Sequence, residues 1–180
     1  MADPLRRPAL DGRAVARRDV TIMPAGPAHR VSLRAPSASV APLSKALGVK
    51  LPTAPKASAS ANGRVAMWLG PDEWLVIDEA MDPLAALAGV KAPHSAVDVS
   101  HRNVGIGVDG VAAADTIAGG CPQNLSLPAF PVGACSRTIL GKAEIVLWRS
   151  GETAFRVECW RSFSTYVFDF LEEAARDKGA

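Results

Sequence analysis

The stretch Arg64–Asp78, RVAMWLGPDEWLVID, constrains this chain more than any other. Two apolar runs flank Gly70-Pro71-Asp72-Glu73, and that tetrapeptide holds the residue types that reverse a chain. The segment predicts a β-hairpin. A hairpin with one apolar face must bury it under another layer, so the rest of the chain has to supply more sheet and covering helices.

The flanking sequence offers both. His29–Arg34 alternates as a short strand does, and Ser37–Leu47 predicts a short helix, with Val40, Leu43 and Leu47 apolar and Gly48 as its stop. The run LPTAPKASASANG, 51–63, has little to bury and reads as a surface loop. Beyond the hairpin, Asp82 suits an N-cap and Pro83 the first position of a helix running to Gly89. Ser95–Ser100 follows as a strand. The order so far is β-α-β-β-α-β, a ferredoxin-like series.

A second round follows. Asn103–Asp109 places Val104, Ile106 and Val108 on one strand face, and Val111–Ala118 is a helix closed by Gly119-Gly120. After a proline-interrupted excursion, Cys135–Arg149 is a long strand or bent pair of strands. It turns at Ser150-Gly151-Glu152 into Ala154–Trp160, where Phe155, Val157 and Cys159 face one way and Arg156 and Glu158 the other, expected wetter, way. Ser162 is placed to cap a last helix whose apolar stripe is Phe163, Tyr166, Val167, Phe170, Leu171 and Ala174. Val65, Trp68, Trp74 and Val76 are echoed by Ile145, Trp148, Phe155 and Val157, which suggests two pseudo-repeats, 29–100 and 103–177. The fold class expected is α+β, antiparallel sheet with helices on one side, preceded over 1–28 by an Arg-rich, partly flexible arm.

Charge narrows the function. Met1–Arg34 holds seven Arg against three Asp, whereas Ala35–Ala180 holds thirteen Lys plus Arg against fifteen acids, so the net charge of +2 is an N-terminal excess. A nucleic-acid binder concentrates basic residues on its folded part, with aromatics between them, and this chain does not. No stretch approaches the roughly 20 apolar residues of a membrane span, and no apolar signal region is visible, so the expected location is cytoplasmic. Cys121, Cys135 and Cys159 make no CxxC pair and read as buried, reduced thiols.

The chemical motifs dissolve on inspection. Gly105-Ile-Gly107-Val-Asp-Gly110 matches GxGxxG, but its first two glycines alternate with core residues inside a strand rather than forming a phosphate-binding turn. They read as strand glycines facing a close neighbour. Leu140-Gly141-Lys142 lacks the rest of a phosphate loop and reads as a strand bend. His94, Asp98 and His101 match no common metal spacing. No catalytic, cofactor-binding or metal residue is therefore assigned. The tryptophans remain: most fill core, but Trp148-Arg149 and Trp160-Arg161 combine the residue types that dominate protein interfaces, and form the candidate contact patch.

Several of these segments together resemble one family. Trp68-Leu-Gly-Pro-Asp-Glu-Trp74, Val97-Asp-Val-Ser-His-Arg102, Gly120-Cys-Pro122 leading to Ala129-Phe-Pro-Val-Gly133, Arg137-Thr138, Leu147-Trp-Arg149 and Trp160-Arg-Ser-Phe163 with Tyr166 are similar, in order, to the gamma subunits of heterotetrameric sarcosine oxidases. Gln123-Asn124 departs from the family pattern, in which an apolar residue and an Asp are expected after the Cys-Pro. The resemblance implies a fold like the folate-binding part of the glycine cleavage T protein, an aminomethyltransferase. It implies a non-catalytic structural subunit without a cofactor of its own, beside alpha, beta and delta subunits that hold FAD, FMN, NAD, zinc and tetrahydrofolate. Such complexes oxidise sarcosine to glycine, releasing hydrogen peroxide and formaldehyde or methylenetetrahydrofolate. The rival reading is a free-standing folate-binding or aminomethyl-transfer protein, which would need an acid in a pocket; Asp98, Asp109 and Glu152 are the candidates.

Overall fold

The computed structural model describes residues 8–176 and forms two stacked antiparallel sheets, each covered on its outer face by two helices. In chain order the elements are β1 (Val15–Ala16), β2 (Thr21–Pro24), β3 (His29–Arg34), α1 (Val40–Leu47), β4 (Ser58–Ala61), β5 (Arg64–Gly70), β6 (Glu73–Asp78), α2 (Pro83–Leu87), β7 (Ser95–Asp98), β8 (Asn103–Asp109), α3 (Ala113–Ala118), β9 (Cys135–Leu140), β10 (Ala143–Arg149), β11 (Ala154–Trp160) and α4 (Ser164–Arg176). A five-stranded sheet runs β4-β5-β6-β3-β7, and a six-stranded one β1-β2-β8-β11-β10-β9. Among the described residues no helix is long and apolar enough to cross a membrane.

The period-2 alternation of the hairpin sorts side chains into different layers. Ala66, Trp74 and Val76 face outward into a core shared with Leu43 and Leu47 of α1 and Leu87 of α2. Their alternates Val65, Met67, Leu75 and Ile77 face inward and meet Val146 and Cys135 of the other sheet. The same division holds in the second sheet, where Ile145, Leu147, Phe155 and Val157 pack on Val167, Phe168 and Leu171 of α4. Each hairpin is therefore buried on both faces, which is why the tryptophans of β5 and β6 fall on the helix side and not in the middle.

The helix signals act as their chemistry requires. Asp82 accepts a hydrogen bond from the Leu84 amide at 2.9 Å with Pro83 behind it, and Gly48, in the left-handed region at φ 67°, ends α1. Arg64 caps α1 from outside, donating to the Leu47 carbonyl while its Nε holds Asp78 at 2.9 Å. A cation at the end of a helix is favoured by the dipole.

Four expectations need correction. Segment 51–63 is not all loop, because Ser58–Ala61 pairs with Arg64–Met67 as the outermost strand; small side chains suffice at an edge. From residue 8 on, the arm expected over 1–28 belongs to the second sheet. Thr21–Pro24 pairs with Ile106–Asp109, and Leu10, Val15, Val20 and Ile22 are core; residues 1–7 lie outside the described residues. The stripe of α4 is rotated: Phe168 is fully buried while Phe163 and Tyr166 are 43% and 39% exposed, because a 3-10 turn over Arg161–Phe163 delays the helix to Ser164. Finally, the charged face of β11 is not the wet one. Glu158 is buried, since that face looks at the first sheet and not at solvent.

Candidate functional site: a cleft and aromatic shelf at the junction of the sheets

Glu158 is held from both sheets. Arg30 of β3 grips it through Nε to Oε2 at 2.6 Å and Nη2 to Oε1 at 3.1 Å, and Arg156 donates Nε to Oε1 at 2.8 Å while its Nη1 reaches Glu79 at 2.8 Å. Such alternation of charge gives each ion a counter-ion, from the buried Arg30–Glu158 pair through Arg156 out to Glu79, whose side chain is 61% exposed. Glu158 has room because Gly105 has no side chain. A Cβ there would lie 2.6 Å from Glu158 Oε1 and 3.0 Å from the Ala25 Cβ. The GxGxxG match is thus a pair of strand glycines facing a close neighbour, as its alternation suggests.

The run Asp98–Arg102 locks the adjoining loop. Asp98 Oδ1 accepts from the Ser100 amide at 2.8 Å, the Ser100 hydroxyl accepts from the Arg30 amide at 2.9 Å, and the amides of Arg102 and Asn103 both turn back to the Val99 carbonyl at 3.0 Å. Hydrogen bonds from Ser100 hold the Asp98 carboxyl below its ordinary range, with smaller help from His101 and His29. Asp98 is therefore a turn-former and not a pocket acid. Asp109 ends β8, with its carboxyl pushed up by burial, and Glu152 is exposed in the β10–β11 turn. Neither faces the cleft. Among the described residues no three His, Cys, Asp or Glu side chains converge as a metal site.

Beside this network opens a cleft of about 840 Å³. One wall is Pro8–Arg13 and another Pro24–Ala28; Arg30, Ser100, His101, Asn103–Gly105 and Arg161 complete it. Arg13 fastens the first wall to α4. It pairs with Asp169 at 2.6 Å and Glu172 at 3.1 Å and stacks 4.4 Å over the Phe168 ring. Part of the N-terminal arginine excess is thus structural.

The four candidate contact residues do not come together. Arg149 is buried, donating to the Leu125 carbonyl at 2.6 Å and lying 4.4 Å over the Phe155 ring, with its pKa lowered by burial. Trp148 is half-buried between the sheets, its indole donating to Ser58 Oγ at 3.0 Å. Register puts Trp148 opposite Arg156, four residues or about 13 Å along the sheet from Trp160. The surface pair is Trp160 and Arg161. Trp160 is 42% exposed, Arg102 stacks on it at 5.0 Å, and the exposed Phe163 ring is 6.3 Å away. Arg161 lines both the cleft and the shallow depression formed with Arg102, Trp160 and Ser162. Sequence reasoning weighed His101 only as a metal ligand and missed Asn103 and the two N-terminal walls, which are brought here by the pairing of β2 with β8 and by the contacts of Arg13 with α4.

The hairpin turn is a clasp. Arg34 holds the Asp72 carboxylate at 3.1 Å, and Glu73 pairs with Arg137 of β9 in the other sheet. Trp74, fully buried, donates to the Pro52 carbonyl at 2.7 Å. These contacts give physical roles to the most distinctive string in the chain. Residues 32–177 match the model of the sarcosine oxidase gamma subunit family. The chain belongs to that family. A gamma subunit of sarcosine oxidase from Corynebacterium sp. strain U-96 is 31% identical over 180 residues, covering 96% of this chain and 87% of that protein. One from Arthrobacter sp. is 35% identical over 144 residues, covering 77% and 70%. Among solved structures, a chain of the heterotetrameric sarcosine oxidase of Corynebacterium sp. U-96, in complex with pyrrole 2-carboxylate, superposes with a TM-score of 0.87 at 31% identity, over 96% of this chain and 92% of that one.

Proposed function

We propose that this chain is the non-catalytic gamma subunit of a heterotetrameric sarcosine oxidase, a scaffold on which the flavin-bearing partners are arranged. The superposition carries the reading, with a TM-score of 0.87 over 96% of this chain and 92% of that one. The family resemblance supplies the finer expectations, namely alpha, beta and delta partners, and FAD, FMN, NAD, zinc and tetrahydrofolate held by those partners; a cytoplasmic location is proposed beside them and does not come from the resemblance. Likeness to the folate-binding part of aminomethyltransferases belongs here too. It is supported by the β3-α1-β5-β6-α2-β7 order and by the way β8-α3-β10-β11-α4, closed by β2, follows it. Position by position the sheets correspond, β4-β5-β6-β3-β7 with β9-β10-β11-β8-β2, which also supports two pseudo-repeats.

The test is to tag the full chain in its native host during growth on sarcosine, isolate it gently, and record absorbance and subunit masses. A yellow complex with larger partners is expected. A colourless chain that purifies alone and binds tetrahydrofolate would overturn the assignment in favour of the folate-binding reading.

A further inference from the structure

The two sheets differ at one edge. In the strand correspondence above, β7 of the first sheet matches β2 of the second. Beyond β2 lies a further strand, β1, which pairs Val15 with Ile22 and Ala16 with Thr21. Beyond β7 there is none among the described residues, so the first sheet stops one strand short of its counterpart.

Register shows what that edge offers. The Val99 amide donates to the Arg30 carbonyl at 2.9 Å, so Arg30 and Val99 are a hydrogen-bonded pair, and by alternation so are Ser32–Val97 and Arg34–Ser95. The amides and carbonyls of Ala96 and Asp98 therefore point away from β3, and among the described residues they have no backbone partner. Val97 shares a face with the buried Val99 but is itself 53% exposed. Sheets whose edges must stay unpaired blunt them with lysine, proline or a bulge. β7, SAVD, carries none of these, and its one charge, Asp98, is turned to the Ser100 amide at 2.8 Å.

Unpaired main chain is matched by main chain. A strand added to an edge gains affinity from backbone bonds and specificity from alternate side chains, whereas a helix or a small ligand would leave the ladder unmatched. The residue opposite Val97 would fall in a non-hydrogen-bonded pair, where facing Cα atoms approach to about 4.5 Å, so it has to be apolar. In the heterotetramer proposed above, the neighbours of this chain are different chains. We propose that the open edge of β7 receives an extended strand of a neighbouring subunit, with an apolar residue facing Val97. The inference rests on the subunit reading and names a surface and the form of the partner segment.

The experiment compares the full chain alone with the intact complex isolated through it. Amide exchange at Ala96 and Asp98 should slow about tenfold or more on assembly. Ala96→Pro removes an outward donor that makes no bond to β3, a substitution an edge strand tolerates, and should weaken assembly about tenfold or more. Ala96→Ser keeps that amide and should stay within about twofold of wild type. Circular dichroism of the isolated variants reports whether they fold; if Ala96→Pro does not, exchange in the wild-type complex decides. If wild type isolates no partner subunits, the subunit reading fails and this inference with it. If the complex forms while Ala96 and Asp98 exchange as fast in it as in the chain alone, or if a folded Ala96→Pro assembles like wild type, the inference alone is overturned. Slow exchange at these amides in a self-associated form of the chain, with fast exchange in the complex, would assign the edge to a second copy and overturn it equally.

Discussion

Glu158 shows how far burial separates two ion pairs of similar length. The Arg30–Glu158 side chains are 5% and 1% exposed, whereas those of Arg34 and Asp72 are 59% and 51% exposed. Removing one member of a buried pair strands a charge, so Glu158→Gln should cost about 3–5 kcal/mol in urea unfolding at pH 7. Asp72→Asn should cost about 1 kcal/mol or less. A loss at Glu158 as small as that at Asp72 would mean that the network is solvated. Asp78 adds a pH dependence. Burial alone would raise its carboxyl, but the amides of Met81 and Ala80 and the Arg64 guanidinium outweigh it and hold the pKa below its ordinary 3.8. A depressed folded pKa means that the unfolded state takes up the proton first. The contribution is complete above about pH 4 and fades as pH falls below it through the folded value. Asp78→Asn should therefore flatten the fall of unfolding free energy between pH 4 and pH 2; an unchanged slope would remove Asp78 from the acid response. Local chemistry was legible at this scale, as in the Asp82-Pro83 helix start, the Gly48 stop and the three buried cysteines. The burial of Glu158 was not. Its partner Arg30 lies 128 positions away, and alternation along β11 marks two faces without saying what covers the second.

Among the elements, β2 carries the sharpest test. Ile22 is wholly buried opposite Val108, within a region whose charge and prolines describe a solvated arm. Truncation to alanine in a packed site costs about 2–5 kcal/mol, while in a solvated arm it would cost almost nothing. Ile22→Ala should fall in the first range by urea unfolding, and a change under about 0.5 kcal/mol would detach β2 from the sheet. Short elements at or near a sheet edge escape sequence reading for a physical reason. In β4, SASA, one neighbouring strand satisfies the backbone and no side chain is fully buried; β2, TIMP, lies one strand in from the edge, between the two-residue β1 and β8, and buries only Ile22, so the apolar signal is weak in both. The hairpins β5–β6 and β10–β11 were legible because they are buried on both faces. The site follows the same division: Trp160-Arg161 stands out against its strand, whereas the cleft is assembled from distant segments and has no sequence signature.

In the molecule as a whole, two sheets with separate helix layers look like two small domains, and pseudo-repeats would encourage that view. The contacts between them argue otherwise. Val65, Met67, Leu75 and Ile77 of one sheet share a core with Cys135 and Val146 of the other, and four alternating charges from Arg30 to Glu79 close the opposite side. The edges are joined as well, by an Ala57–Ala134 bridge and the Cys135 amide to the Lys56 carbonyl at 2.8 Å. Neither sheet can leave without exposing this layer and unpairing buried ions, and the second sheet needs β2, which runs directly into β3 of the first. Unfolding should therefore be a single cooperative transition, with tryptophan fluorescence and far-UV circular dichroism coincident. Met67 is fully buried in the shared layer, so Met67→Ala should lower slow amide exchange protection in both sheets together. If protection fell only in β4–β7 while β8–β11 kept theirs, the two halves would be independent folding units, and the shared layer a contact between domains rather than one core.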